Sequence, residues 1–325
     1  MIIVRTPLRV SLVGGGTDLP GFYQKEEYGQ VLSFAVDKYI YLTIHPLVDE
    51  NQILLKYSKS EVVTSIGDLK HPIVREILKM YDLKGVDISV TSDIPSGSGL
   101  GSSSAFTVSF FHLIREYLGM ESSRVQLAAL AADLEINTLA SPIGKQDQYA
   151  SAIGGINRLR FNNDNTVEVH KIQLGQNQLE YLNACIFLIK VGEQRDANTI
   201  LQDQNKSMKK NLDLSGYVRM RELVEIAETC LLQNDYPQIG RIINESWEIK
   251  KGFSSKISTP EIDRIISDLL LAGAWGAKLL GAGQSGYVLA FADPNLRLTL
   301  TQKYKSKIII PRIDAQGSTV VYKNE

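Results

Sequence analysis

Apolar and polar residues alternate with period two over Val86-Asp87-Ile88-Ser89-Val90-Thr91, the spacing of a half-buried strand. Further on, Phe106, Phe110, Leu113, Ile114 and Tyr117 recur at helical spacing. Between them lies Pro95-Ser96-Gly97-Ser98-Gly99-Leu100-Gly101-Ser102-Ser103-Ser104-Ala105, with three glycines, five serines and no charge. The pattern predicts a strand, a loop of small residues and a helix start. Glycines let backbone N–H groups approach a ligand, and a helix N-terminus adds unpaired donors and partial positive charge. The stretch is therefore a candidate cradle for a phosphate chain. A flexible linker is the competing reading, but linkers rarely sit so tightly between a strand and an amphipathic helix.

The same patterning divides the rest of the chain. Residues 1–13 read as one or two short strands interrupted at Pro7. Gly14-Gly15-Gly16-Thr17-Asp18-Leu19-Pro20 follows, where the backbone must turn sharply or admit a close neighbour. Residues 31–44 read as sheet, 53–63 as one more strand and 72–81 as a helix. Ser123 and Gln126 have capping-box spacing, and Leu127, Leu130, Leu134 and Thr138 share a helix face. Ser141-Pro142-Ile143-Gly144 breaks that pattern before a short helix that ends at Gly154-Gly155, and 156–172 reads as a hairpin. The polar run at 174–183 reads as a domain connection, dividing 1–175 from 176–325. The second part predicts a strand at 185–191, helices near 196–212, 216–233 and 236–251, and a helix at 260–272 with Thr259 as N-cap and Pro260 at N1. A strand at 287–292, a helix at 294–304 and strands at 308–310 and 318–322 complete it.

Composition narrows the function classes. The chain has 325 residues, 44% hydrophobic and 22% charged, enough for one large or two ordinary globular domains. A formal net charge of −1 gives no basic excess of the kind a general nucleic-acid binder shows. Lys303, Lys305 and Lys307 read as a solvated face. Cys185 and Cys230 lie in apolar contexts and read as buried thiols, which suits a reducing compartment. His45, His71, His112 and His170 are scattered without metal-ligand spacing. Arg5 and Arg9 interrupt the apolar N-terminus, unlike a signal peptide, and no apolar run has the length of a membrane span. The expectation is a cytoplasmic protein with neither nucleic acid nor membrane as partner.

Residues 281–286 (GAGQSG) match the G-x-G-x-x-G fingerprint, which carries meaning only between a preceding strand and a following helix. Here a helix is expected before it and a strand after it, so a dinucleotide site is rejected. A second glycine loop that closes the first one's pocket is more economical. The pattern G-x-x-x-x-G-K-[ST] is absent, which excludes a P-loop enzyme.

Three segments together, PLRVSLVGGGTDLP (7–20), PSGSGLGSSSA (95–105) and KLLGAGQSGYVLAF (278–291), resemble the three motifs of the GHMP kinases, a superfamily that includes galactokinase, homoserine kinase, mevalonate kinase and phosphomevalonate kinase. Within it the chain most resembles the bacterial D-glycero-D-manno-heptose 7-phosphate kinases, through its GGGTD, LSFAVDKYIY, GKQDQYA and VGEQRDANTILQ segments. The kinase part of fucokinases shares several of these. The resemblance implies an α+β, two-domain fold: an N-terminal domain like ribosomal S5 domain 2, a ferredoxin-like C-terminal domain, and the active site between them. It implies ATP and Mg²⁺, and a small-molecule sugar phosphate whose anomeric hydroxyl is phosphorylated to a 1,7-bisphosphate on the way to nucleotide-activated heptose. A homodimer is compatible with it.

The resemblance also assigns roles. Loop 95–105, from Pro95 through Ser104, would hold the ATP phosphates. Glu135 would ligate Mg²⁺ with a loop serine, Ser102 first and Ser103 or Ser104 as alternatives. Asp147, twelve residues after Glu135, would accept the proton of the attacking hydroxyl or orient it. Arg9 would face the transferring phosphoryl group and Asp147. Gly15, Gly16, Thr17 and Asp18 would bind sugar, Asp18 through the sugar hydroxyls. Gly283 would press in from the second domain, although Gln284-Ser285 stands where many relatives have a further glycine. Arg195 is a candidate for the distal phosphate, with a surface salt bridge as the alternative. Some superfamily members are sugar sensors without catalysis, and these typically lose Asp147, Glu135 or the serine loop, all of which are present here. Without the motifs, Glu135 and Asp147 would read as helix-surface carboxylates.

Overall fold

A computed structural model describes residues 1–192 and 213–324. β1 (Ile2–Val13) is one twelve-residue strand rather than two. Pro7 stays in the ladder opposite Tyr39, and the register slips between Pro7 and Leu8. Proline has no N–H to give the ladder, and the slip absorbs that loss without ending the strand. After α1 (Pro20–Tyr23), the long β2 (Tyr28–Pro46) pairs with β1 along most of its length. β3 (Ile53–Lys56) and β4 (Ser60–Val63) form a tight hairpin where a single strand was expected. α2 (Pro72–Met80) leads to β5 (Val86–Ser92), parallel to β3 and antiparallel to β2.

α3 (Ser102–Tyr117) packs on β1 and β2, and α4 (Arg124–Asp133) begins with the predicted capping box of Ser123 and Gln126. α5 (Gln146–Ile153), β6 (Ile156–Asn162) and β7 (Val167–Ile172) follow as the pattern predicts, with β6 paired to β2. With the C-terminal strand β12 (Thr319–Lys323), the strand order is β12-β1-β2-β5-β3-β4, with β6 beside β2 and β7 beside β6. Leu8, Val10, Phe34 and Leu42 meet Phe110, Phe111 and Leu113 in its core.

The run expected to link domains is α6 (Gln176–Ala184), buried through Leu182. β8 (Ile186–Val191), α7 (Ser215–Leu232), α8 (Tyr236–Gly252) and α9 (Pro260–Leu271) follow. The predicted Thr259 cap on α9 forms, its hydroxyl accepting from the Ile262 N–H. β9 (Gly276–Leu279), β10 (Gly286–Phe291), α10 (Arg297–Tyr304) and β11 (Ile308–Ile309) complete a four-stranded antiparallel sheet of order β11-β8-β10-β9. Its own core gathers Phe187, Trp247, Ile262, Leu269 and Val288. The helix expected near 196–212 lies outside the described residues.

Two expectations change here. The glycine loop 281–286 is preceded by strand β9, not by a helix; because β10 follows it, the case against a dinucleotide site stands on the missing helix alone. The chain also does not stay in the second unit from 176 to its end. β12 (Thr319–Lys323) crosses back and pairs with β1. Ser318, just before it, is fully buried, with its hydroxyl 2.7 Å from His112 Nδ1 and 2.8 Å from Thr6 Oγ1. Both cysteines are free and buried, as expected. Among the described residues no helix is long and apolar enough to cross a membrane.

The second half of β1 is buried throughout because α3, α5, α7 and α8 all pack against it. That buried half carries Arg9.

Candidate active site

The loop before α3 depends on its glycines. Gly97, Gly99 and Gly101 have φ of 73°, 78° and 74°, left-handed backbone that other residues adopt at a cost. Gly101 is also the N-cap of α3, and a Cβ there would lie 3.1 Å from Arg9 Cγ and 3.2 Å from Asp147 Oδ2. Pro95, Ser96 and Gly97 are exposed, whereas Ser98, Leu100, Ser102 and Ser104 are buried. The second glycine loop lies directly against the first. A Cβ on Gly281 would fall 2.5 Å from Gly99 Cα, and one on Gly286 would fall 2.5 Å from the Ser98 carbonyl. Gly283, at φ 144°, and Gln284, at φ 65°, form the turn between them. Gln284 holds left-handed backbone without being a glycine, its N–H donating to the Ile257 carbonyl.

Arg9 ties these parts together. It is 5% exposed. Its Nε and Nη2 donate to Asp147 Oδ1 and Oδ2, both at 2.7 Å, and its Nη1 donates to the Gly99 carbonyl at 2.7 Å. Its backbone N–H donates to the Leu100 carbonyl. A planar guanidinium forks onto a carboxylate in this way, and a lysine could not. Asp147 stands in the first turn of α5, where the helix dipole favours a carboxylate, and its side chain stays 24% exposed.

Asp18 lies beside this pair and is buried. Its Oδ1 accepts from the Gly16 N–H at 3.1 Å and from Gln146 Nε2 at 2.9 Å, and its Oδ2 from the Gln146 N–H at 3.3 Å. Burial first, and then the charge of Asp147, raise its pKa to about 6. Thr17, expected among the sugar ligands, braces the turn: its hydroxyl lies 2.8 Å from both the Gly14 and Gln30 carbonyls, which share its one hydrogen, and accepts from the Gln30 N–H. Gly15 and Gly16 are half-buried beside it.

Glu135 falls in a π-helical turn (Leu134–Thr138) that continues α4, a wide turn often found at functional sites. It is 3% exposed, and burial pushes its pKa to about 7 against hydrogen bonds that pull the other way. Gln148 Nε2 donates to its Oε2 at 2.6 Å and Ser103 Oγ to its Oε1 at 3.4 Å. Ser104 also hydrogen-bonds to it. Ser103 and Ser104 are thus the loop serines that meet Glu135, while Ser102 is the first residue of α3.

Several residues here escaped the sequence reading. Gln146 holds Asp18, and Gly144 makes room for it, since a Cβ at 144 would lie 1.9 Å from Asp18 Oδ2. Both are in or beside the GKQDQYA segment, the one signal that could have found them. Tyr217 of α7 lies against Gly16 and stacks on Phe253, with ring centroids 3.7 Å apart. Two lysines of the second unit come in from behind. Lys250 of α8 donates to the Gly281 carbonyl, and burial together with the charge of Arg9 lowers its pKa to about 8. Lys278 of β9 donates to the Leu12 carbonyl at 2.9 Å, and burial holds it well below the ordinary lysine range. Arg195 lies outside the described residues.

A glycine-rich helix N-terminus can hold phosphate, a buried Arg–Asp fork can pair a base with a fixed cation, and a buried carboxylate with serine hydroxyls offers oxygen donors to a hard ion. Residues 69–155 match the GHMP kinases N terminal domain and residues 226–306 the GHMP kinases C terminal domain, together more than half of the chain. The chain belongs to the GHMP kinase family and has its two-domain fold, and it is an ATP-dependent sugar kinase of that type.

Among curated proteins it is similar to the D-glycero-alpha-D-manno-heptose 7-phosphate kinase of Campylobacter jejuni, 29% identical over 94% of each chain. It is also similar to the galactokinase of Pyrococcus furiosus, 22% identical over 92% of this chain and 91% of that one. Among solved structures, one described as a "D-glycero-D-manno-heptose 1-phosphate kinase from Bacteriodes thetaiotaomicron" shares the fold over 100% of both chains, with a TM-score of 0.81 at 22% identity.

Proposed function

We propose that the protein transfers the γ-phosphoryl group of ATP to the anomeric hydroxyl of D-glycero-D-manno-heptose 7-phosphate, giving the 1,7-bisphosphate and ADP. The observation that carries this reading is the Arg9–Asp147 fork closed onto the Gly99 carbonyl of the phosphate loop. It sets a carboxylate and a fixed cation beside the end of a triphosphate cradle. The likeness to the Campylobacter jejuni heptose 7-phosphate kinase supports the choice of sugar.

Loop 95–104 and the N-terminus of α3 hold the triphosphate through backbone N–H groups. Asp147 takes the proton as the sugar hydroxyl oxygen bonds to the γ-phosphorus, and the β–γ bridging oxygen leaves with ADP. Arg9 uses one acceptor position on each Asp147 oxygen; a carboxylate offers about four, which leaves room for the hydroxyl. The guanidinium offsets negative charge on the transferring group without reorganising. Asp18 accepts from sugar hydroxyls, and Arg195 takes the distal phosphate.

A hard divalent ion fits the donor set. The groups that hydrogen-bond the buried Glu135 carboxylate are, among the described residues, neutral: Gln148, Ser103, Ser104 and Thr107. Among the described residues no cluster of three acidic, histidine or cysteine side chains could cage a metal alone. Mg²⁺ characteristically binds through one or two carboxylates plus substrate phosphates and water. Glu135 and a loop serine would hold it, and when bound it would neutralise phosphate charge. A kinase drawing on ATP in this way belongs in the cytoplasm.

The test is a panel of acceptors with ATP, read by ADP release: heptose 7-phosphate, heptose 1-phosphate, galactose and fucose. Efficient turnover of heptose 7-phosphate is the expected result. Efficient use of galactose or fucose with none of heptose 7-phosphate would overturn the sugar assignment and favour a galactokinase-like reading, to which the Pyrococcus furiosus likeness points.

A further inference from the structure

The second unit brings a charged side chain, one that none of the three sequence motifs contains, to the glycine loop beside the Arg9 fork. Lys250 projects from the last turns of α8 and is half-buried. Its ammonium donates to the Gly281 carbonyl, in the glycine loop whose backbone lies against Gly99. Gly99 in turn accepts from Arg9. An ammonium carries three donors, and the Gly281 carbonyl uses one. The charges that act on Lys250 are those of Arg9, Asp18 and Asp147, the groups that bound the site of transfer. Lys278, which also feels Arg9 and Lys250, is 5% exposed and turned onto the Leu12 carbonyl of β1, so it is closed to a ligand.

Arg9 and Lys250 both bear on the Asp147 end of the site: the Arg9 guanidinium is held on Asp147 and the Gly99 carbonyl, and the Lys250 ammonium keeps donors beyond the one given to the Gly281 carbonyl. Two basic groups so placed suit an anion that joins them. Of the anions in this reaction, the transferring phosphoryl group is the one that must lie beside Asp147. A phosphate on the far end of a seven-carbon sugar lies several bonds from the reacting hydroxyl.

We propose that Lys250 is a further catalytic residue of this kinase, contacting the γ-phosphoryl oxygens from the second unit. The contact makes phosphoryl transfer depend on the second unit being docked, because Lys250 stands on that unit at the Gly281 loop that lies against Gly99. This rests on the kinase reading but not on the identity of the sugar.

Binding of ADP and of the non-hydrolysable β,γ-imido analogue of ATP is measured by calorimetry with excess Mg²⁺, on the full chain and on Lys250→Met and Lys250→Arg. A group that meets only the γ-phosphoryl distinguishes the two nucleotides. Lys250→Met is expected to lose about tenfold or more in affinity for the imido analogue, the size of a charge-assisted hydrogen bond, with ADP affinity unchanged. Lys250→Arg, which keeps the charge, retains most of the discrimination and serves as the folding control. Equal affinities in wild type and Lys250→Met for both nucleotides, or an equal loss for both, would overturn the proposal. The titration contains no sugar, so a wrong acceptor would show in the acceptor panel and leave this result standing.

Discussion

Asp18→Asn should stabilise the protein at pH 8 and cripple its use of sugar. The Asp18 carboxyl titrates at about 6 in the fold against an ordinary value of 3.8, with burial as the largest cause and the charge of Asp147 next. At 1.36 kcal/mol per pKa unit the difference is about 3 kcal/mol. The sign follows from proton uptake. Between pH 4 and 6 the folded protein holds a proton that the unfolded chain has released, so stability falls as pH rises through that window. Above it, the wild type carries the full cost of an ionised buried carboxylate, and asparagine removes that cost. The amide oxygen can keep the two bonds at Oδ1, from the Gly16 N–H and Gln146 Nε2. The longer contact from the Gln146 N–H to Oδ2, at 3.3 Å, is lost, taking back about 1 kcal/mol. The net expectation is a gain of about 2 kcal/mol at pH 8 that vanishes by pH 4. Urea unfolding of both proteins at several pH values, without nucleotide or metal, reads it directly. A variant less stable than wild type at pH 8, or a difference independent of pH, would refute the argument. The same variant should show an acceptor KM raised about tenfold or more if Asp18 meets sugar hydroxyls.

Asp147→Asn should lower kcat by about a hundredfold to ten-thousandfold, the range of a lost general base, while ATP binding by calorimetry stays within about threefold of wild type; near-normal turnover would remove Asp147 from its role. Gly99→Ala places a methyl 2.7 Å from the Leu280 carbonyl at φ 78°. Because backbone meets backbone there, it should cost about 2–4 kcal/mol of stability in chemical unfolding and weaken ATP binding as the two loops separate. Glu135→Gln should leave binding of metal-free ADP intact and abolish the increase in ATP affinity that Mg²⁺ gives the wild type, measured by paired titrations with and without EDTA.

Much of this site could be seen in the chain because its parts are local. A left-handed glycine run, a capping box and a strand of alternating polarity are decided by neighbours in sequence, and the loop at 95–105, the Ser123 cap and the Thr259 cap all form as read. What escaped was set by distant partners. Pro7 stays within a strand because β2 runs along it on the other side of the slip. The polar run at 174–183 is helical because Leu182 finds a place in the core. β12 joins the first sheet through pairing more than 310 residues away in sequence, which no window of local pattern can register. Arg9 is buried because Asp147 and the Gly99 carbonyl, both distant in sequence, satisfy its guanidinium. Lys250, Gln146 and Gly144 have no meaning until Asp18 and Gly281 are placed beside them.

The most direct test of the central claim is the position of the transferred phosphate. Wild-type protein, ATP, Mg²⁺ and D-glycero-D-manno-heptose 7-phosphate are incubated together, and the product is examined by phosphorus NMR. The account predicts a second phosphorus signal coupled to the anomeric proton, appearing at the rate of ADP release and absent with Asp147→Asn. A phosphate at any other carbon, or ADP release without a new sugar phosphate, would contradict it.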